Sequence, residues 1–344
     1  MPDSPLVSVV VVNWNGQGVL PGCLASLARQ IFPDFEVIVV DNGSTDGSIA
    51  LLESSPLPIR LIRNTENKGF CGANNQGIEA ALGKYVALLN NDAEADPGWL
   101  AALVQAIGQD RGPRCGMVAS KILLFDDRKR IDKVGHLIYL DGQNRGRGSG
   151  EIDAGQYDEL GETLWPDGCA ALYSAEMLRQ IGGFDEDFFA YADDAELGLR
   201  GRIAGWRAIY APKAVVYHRG GSTLGRYSAQ RLYLIERNRI WLVAKLFPMR
   251  LWPLTPYYFL RRAIAMASAH AGKQGEAFAA SRQLGAWALI QCIAKANAAA
   301  LVGVPRMIRK RSQINKFRKL NSAEILSLLE RYRIPLDDLA RKSV

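Results

Sequence analysis

Three apolar runs that each stop in polar residues constrain this chain more than any other feature. "LVSVVVVNWNG" opens it, "FEVIVVDNGSTDGS" follows, and "YVALLNNDAE" comes third. Between them lie amphipathic stretches, "LPGCLASLARQ", "IALLESS" and "GFCGANNQGIEAALG", and one further short run, "IRLIRN". A strand of unbroken Val, Ile and Leu has no polar face, so both of its faces must be covered. Alternating with helices, such strands build an α/β fold, a mainly parallel sheet flanked by helices. Ligands of such sheets sit at the carboxyl ends of the strands, and here all three ends are polar.

The chain has 344 residues and 48% hydrophobic content, enough for a sizeable core and for one large domain with an appendage. Charge divides it unevenly. Residues 1–247 hold 25 Lys and Arg against 30 Asp and Glu, net −5, whereas residues 248–344 hold 17 against 5, net +12. The predicted domains are therefore 1–247, carrying the sheet, and 248–344, a basic helical region. Its basic residues alternate with apolar stretches such as "LFPMRLWPLTPYYFL" and "LGAWALIQCIAKANAAALVGVP". That pattern suits the anionic face of a membrane rather than nucleic acid. Neither stretch gives a run of about 20 residues free of charge, so helices lying on the surface are expected rather than spanning ones.

Cys23, Cys71, Cys115, Cys169 and Cys292 are odd in number and form no CxxC pair, which argues against a disulfide framework or a zinc site and for a reducing, cytoplasmic setting. The run from Leu6 to Val12 is too short, and lacks the basic flank, for a signal peptide. Residues 141–162, "DGQNRGRGSGEIDAGQYDELGE", are rich in Gly and charge and are expected to form a mobile lid.

Each polar strand end offers binding groups. Asn13 and Asn15 follow the first run, and Asp41 ends the second, where a carboxylate can accept the imide N–H of uracil or thymine. Asn67 and Lys68 precede a helix, a place suited to an anionic diphosphate. The third run delivers Asn91 and Asp92. Asp96 and Pro97 already supply the cap and first turn of the helix that follows, so Asp92 is not needed for that. His218 ends another strand-like run, "AVVYHRGGST", and a neutral imidazole beside a carboxylate and phosphates is a good ligand for Mn²⁺.

Taken together, "VSVVVVNWNG", "VIVVDNGSTDGS", "NKGFCGANNQGI", "YVALLNNDAE", "GGFDEDFFAYADDAELGLR" and "VYHRGGST" resemble, in order and spacing, the family 2 glycosyltransferases. The likeness covers residues 5–248 and is strongest to the bacterial rhamnosyltransferase-like and galactofuranosyltransferase-like branch. It implies a GT-A fold with a C-terminal helical extension, a dTDP- or UDP-sugar donor, and a Mn²⁺ or Mg²⁺ ion. It further implies inverting transfer to a glycan or lipid-linked acceptor at the inner face of the cell membrane. By motif, Asp41 resembles the base-binding aspartate, Asp92 the metal-binding end of the D-x-D element, and His218 a histidine that closes the metal shell. Asn90 and Asn91 stand where the acidic form of that element has aspartates. Assembly into a homo-oligomer is left open by the sequence.

"YADDAELGLR" holds three carboxylates. Asp193 and Glu196 have the spacing of a capping box, and Glu196 stands four residues before Arg200, as a helical ion pair requires. Asp194 has neither duty and takes the place of the general base in the family pattern. Upstream, Trp165 offers a face for an acceptor sugar, and Asp167 and Asp193 complete the expected acceptor side. Two other readings share parts of these features. A sugar-phosphate nucleotidyltransferase would want basic residues in the first loop, which "NWNGQGVLPGC" lacks; a non-catalytic carbohydrate-binding protein would not need Asp92, Asp194 and His218 together.

Overall fold

A computed structural model of the chain describes residues 4–341 apart from 111, 113, 221–224 and 226. The end of the "VYHRGGST" motif, Gly221, Ser222 and Thr223, thus lies outside the described residues. The first elements follow the sequence reading closely. Strands β1 (Val7–Asn13), β2 (Phe35–Asp41), β3 (Arg60–Arg63) and β4 (Tyr85–Leu89) are joined by α1 (Leu20–Ala28), α2 (Ser48–Glu53) and α3 (Gly69–Ala80). They lie parallel in the order β4-β1-β2-β3. Val7, Val9 and Val11 pack toward Leu20, Leu24 and Trp99, whereas Val10 packs in a second core with Leu88 and Trp165. Period-two alternation thus buries both faces, which is why the run is apolar throughout.

The middle of the chain extends the sheet. β5 (Ala93–Ala95) and α4 (Trp99–Gln109) precede β6 (Cys115–Leu124), followed by the short β7 (Ile131–Lys133), β8 (His136–Ile138), β9 (Asn144–Gly146) and β10 (Gly161–Thr163). Then come β11 (Ala170–Ser174), α5 (Ala175–Ile181), α6 (Asp193–Ile203) and β12 (Arg207–His218). β11 enters antiparallel between β4 and β6, and β12 runs parallel to β6. The sheet is mixed and mainly parallel in its first half, as the sequence predicts.

Residues 141–162 are not a free lid. β9 pairs with β8, the Ile131 N–H donates to the Glu151 carbonyl, and Lys121 Nζ lies 2.9 Å from Asp153 and 2.5 Å from Asp158. The glycines here shape turns instead of loosening the chain. Gly142, for example, has φ +92°, and a Cβ there would stand 2.6 Å from the Arg239 carbonyl oxygen.

The C-terminal region holds α7 (Ala229–Leu246), α8 (Thr255–Ala271), α9 (Gly275–Leu284), α10 (Ala286–Ile314), α11 (Ser322–Arg331) and α12 (Leu336–Arg341). The boundary at 247/248 is a change of composition, not of packing. Ala300, Met307, Ile325 and Leu329 share one core with Val10, Leu88 and Trp165, and Ile138 exchanges backbone hydrogen bonds with Tyr332 and Ile334. Four buried charges add to the join: Arg262 of α8 donates to Asp141 at 2.7 Å and to Glu236 at 2.9 Å, and Arg239 donates to Glu236 at 3.1 Å. α10 is continuous over 29 residues, with Lys295 the one charge in its apolar part, and is long and apolar enough to cross a membrane.

Candidate active site

The carboxyl ends of β1, β2 and β4 do meet, and they are tied to one another. Asn91 Nδ2 donates to Asn13 Oδ1 at 2.8 Å, and Asn13 Nδ2 donates to Asp41 Oδ1 at 3.0 Å. Asp41 also accepts from the Ser44 hydroxyl and, at 3.0 Å, from the Ser44 N–H. Asn15, at φ +49°, accepts from the Thr45 N–H at 2.8 Å and so fastens the first loop to the second. Asn13 and Asp41 are therefore buried beneath the strand ends as a brace. Above them opens a cleft of about 440 Å³ whose walls include Trp14, Asn42, Asn67, Asn91 and Asp92. Lys68, at the start of α3, is exposed and outside the cleft wall.

Asp92 and His218 stand on one side of the cleft. β5 pairs antiparallel with β12, setting Ala93 opposite His218, and this brings Asp92 Oδ1 to 3.4 Å from His218 Nε2. The other ring nitrogen, Nδ1, lies 2.8 Å from Asp132 Oδ2. A carboxylate on one nitrogen fixes the ring and turns the other outward, the arrangement that metal-binding histidines show. Two ligand atoms each about 2.1 Å from an octahedral ion are roughly 3 Å apart, so Asp92 and His218 fit a divalent cation. Burial opposes a charge on His218, but Cys169, Asp132 and Asp92 outweigh it and hold the imidazole well above its ordinary pKa. A bound cation would compete with that proton.

Asp194 lines the same cleft. α6 begins at Asp193 from Ala192 in the left-handed region, φ +57°, and no side chain caps it. The expected capping box is thus absent. Glu196 is instead buried in a bidentate pair with Arg200, at 2.9 and 2.8 Å, and contacts Lys245 Nζ at 2.6 Å. The reason lies in α7: Asn238 Nδ2 donates to the carbonyls of Phe188, Ala190 and Tyr191 at 2.7–2.9 Å and so sets the helix entry from outside. Asp194 Oδ1 accepts from the Ala195 N–H at 2.7 Å. Asp193 lies beside it in the cleft wall, and burial together with the Asp194 charge pushes its carboxyl well above the usual range.

His136 Nε2 lies 2.9 Å from Asp167 Oδ2 and 3.3 Å from Asp194 Oδ2. Lys133 Nζ lies 2.9 Å from that same Asp167 oxygen. One ligand atom from each of His136, Asp167 and Asp194 lies within 4.8 Å of the others, a His/Asp/Asp group able to hold an ion. Two features favour a self-contained charge cluster there. Lys133 already stands at Asp167, and His136 is held as a cation with its pKa at about 9: burial opposes the charge, but Asp194 and Asp167 prevail. Asp167 responds in the opposite sense, held well below the usual carboxylate range by Lys133 and His136 against the effect of burial.

Trp165 corrects the expected acceptor contact. It is 0% exposed, lies beneath Gly198, and stacks on His136 with ring centroids 5.8 Å apart, so no face is open to a sugar. Of the residues singled out in the sequence, Asn67, Asn91, Asp92, Asp167, Asp193, Asp194 and His218 line the cleft, whereas Asn13, Asn15, Asp41, Lys68 and Trp165 do not. Asp132, Lys133 and His136 escaped the sequence reading. Their signal is present in "RIDKVGHLIYL", where two charges and a histidine interrupt an apolar run that must be buried, a cost borne only if each is paired.

A family model, glycosyl transferase family 2, matches residues 8–181, and a second, glycosyl transferase family group 2, matches residues 151–269. The chain is 27% identical over 294 residues to N-acetylglucosaminyl-diphospho-decaprenol L-rhamnosyltransferase of Mycobacterium tuberculosis, covering 76% of this chain and 94% of that protein. It is 32% identical over 232 residues to the O-antigen biosynthesis protein RfbC of Myxococcus xanthus, covering 64% of this chain. The chain spans only 26% and 18% of the length of two of the curated relatives it matches. Among solved structures, a mannosyltransferase from Pyrobaculum calidifontis in complex with GDP-Man and Mn²⁺ superposes with a TM-score of 0.53 at 21% identity. That match covers 92% of this chain and 86% of the other, and the likeness is one of fold, GT-A.

Proposed function

The chain belongs to glycosyl transferase family 2, and from that membership we propose that it transfers a sugar from a dTDP- or UDP-activated donor to a hydroxyl group with inversion. The sugar is rhamnose, galactofuranose or a hexose, and the acceptor a cell-surface polysaccharide or lipid-linked glycan. The name of the mycobacterial relative, a rhamnosyltransferase acting on a diphospho-decaprenol-linked sugar, supports that class of acceptor. One observation carries the reading: Asp92 and His218 meet at 3.4 Å in a cleft that Asp194 also lines.

In this reading the donor lies across the strand ends with its base toward Trp14 and Asn67 and its diphosphate toward Asp92 and His218. Asp92 and His218 would hold a divalent cation, Mn²⁺ or Mg²⁺, which would supply positive charge where the departing diphosphate gains negative charge. The acceptor hydroxyl attacks the anomeric carbon as the bond to the diphosphate breaks, and Asp194 takes the hydroxyl proton. Asp193, whose carboxyl is raised above the usual range by burial and by Asp194, lies on the acceptor side beside it. The braced strand ends hold the donor side rigid, so the reacting groups meet with little reorganisation.

The protein works at the cytoplasmic face of the membrane, docked through α8 and α10. Tyr257, Leu260, Ile264, Trp287, Leu301 and Val302 are 54–84% exposed on these helices. A net charge of +12 over residues 248–344 suits an anionic surface. A surface-lying α10 is supported by the hydrogen bond from Trp241 Nε1 to the Ala300 carbonyl at 2.9 Å and by the contact of Arg306 with Asp187 at 2.7 Å.

A screen of nucleotide-sugars for thermal stabilisation, with and without Mn²⁺, tests the donor and the cation together. Turnover of the selected donor by Asp194→Asn and Asp92→Ala tests the mechanism. Wild-type rates in both variants would refute it.

A further inference from the structure

His136 has no part in the donor site, yet it is among the most constrained polar groups of the cleft. It is 5% exposed, its ring is stacked on the fully buried Trp165, and among the described residues its Nδ1 has no hydrogen-bond partner. Its polar contacts among the described residues are through Nε2, at 2.9 Å to Asp167 and 3.3 Å to Asp194. A buried ring that leaves one nitrogen unsatisfied is costly unless the other is strongly engaged. Here the engagement is with the two carboxylates alone.

We propose that His136, backed by Asp167 and Lys133, is a positioning residue that holds the Asp194 carboxylate at the angle from which it takes the acceptor proton. The inference rests on Asp194 being the general base. Asp194 Oδ1 is fixed by the Ala195 N–H at 2.7 Å, and Oδ2 faces His136, so the side chain is held at both oxygens. The longer contact to Asp194 leaves Oδ2 less tightly bound than the Asp167 oxygen, and therefore open to an incoming hydroxyl. Asp167 anchors the ring in turn, and Lys133 Nζ, 2.9 Å from Asp167 Oδ2, anchors Asp167. β8 is itself fixed by the Ile138 N–H, which donates to the Tyr332 carbonyl, and by the Ile138 carbonyl, which accepts from the Ile334 N–H, so the C-terminal segment stiffens the strand that carries His136. The charged groups facing the ring are Asp167 and Asp194 directly and Lys133 through Asp167, with Asp193 next to Asp194.

The test uses the full chain with dTDP-rhamnose, UDP-galactofuranose and UDP-glucose as donors, reading release of the nucleoside diphosphate. His136→Ala should lower kcat about 100-fold, the effect of a reacting group displaced by about 1 Å. Its affinity for UDP or dTDP and for Mn²⁺ should stay at the wild-type value, because neither the strand ends nor Asp92 and His218 are touched. His136→Gln, whose amide N–H can occupy the place of Nε2–H, should recover about tenfold of that loss, which a merely structural role would not grant. It also serves should the Ala variant fail to fold. Wild-type kcat in His136→Ala, a Gln variant no better than Ala, or a parallel loss of Mn²⁺ affinity would each overturn the proposal, the last by making the cluster a cation site. Failure of the underlying assignment shows separately, as undiminished turnover in Asp194→Asn.

Discussion

His218 Nδ1 lies 2.8 Å from Asp132 Oδ2, and this contact turns Nε2 toward Asp92. Carboxylates behind metal-binding histidines usually account for about 10- to 100-fold in affinity. Asp132→Asn is therefore expected to weaken Mn²⁺ binding by about that factor, measured by calorimetric titration, with the fold intact. Unchanged affinity would mean that the cation is held elsewhere.

Asn238 holds the entry to α6. Phe189, Tyr191 and Ala192 all have φ between +57° and +66°, a conformation that non-glycine residues adopt only when their surroundings impose it. Asn238→Ala removes the amide that donates to the carbonyls of Phe188, Ala190 and Tyr191. A loss of about 1–3 kcal/mol in stability is expected, together with a fall in kcat as Asp194 loses its entry geometry. Urea unfolding and turnover measure the two effects.

Gly69 meets the same loop from α3. Its φ is +74°, and a Cβ would stand 2.5 Å from the Phe189 ring and 2.7 Å from the Phe189 carbonyl oxygen. Gly69→Ala should cost more than the roughly 1 kcal/mol of backbone strain alone, because the clash adds to it. The thermal midpoint reads this directly, and an unchanged midpoint would show that the loop yields freely.

Glu236 and Asp185 tie the C-terminal helices to the rest of the chain, and each has its pKa depressed to about 2. Burial opposes their ionisation, but Arg262 and Arg239 prevail at Glu236, and Lys245 and Lys310 at Asp185. Both therefore contribute stability in full above the ordinary carboxylate range and lose it as the pH falls from about 4 toward 2. Urea unfolding across that window should show stability declining with acid. Glu236→Gln should flatten the decline, and an unaltered slope would count against this linkage.

Trp287 and Val302 are 70% and 84% exposed, so replacing them by Ser and Asp should change stability by less than about 0.5 kcal/mol. The double variant is expected to lose sedimentation with anionic liposomes at low salt. Retained binding would remove this face from membrane docking.

The sequence by itself determined the layered α/β architecture. An uninterrupted run such as Val7–Val12 can only be covered on both sides, and the polar ends of β1, β2 and β4 could therefore be read as one edge before any coordinates. Family spacing likewise pointed to Asp92, Asp194 and His218, all of which line one cleft. Tertiary structure alone decided how those groups are held. Asp41 and Asn13, read as binding residues, became a brace because their strand ends are adjacent in register. Asp193 and Glu196 lost the capping box because Asn238, distant in sequence, sets the helix entry, while Arg200 and Lys245 take up Glu196. His136, Lys133 and Asp132 entered because the short strands β7 and β8 carry them into the cleft wall. Local spacing reports the hydrogen bonds a segment can make with itself; which carboxylate is buried, paired or left facing the ligand depends on charges brought near by distant parts of the chain.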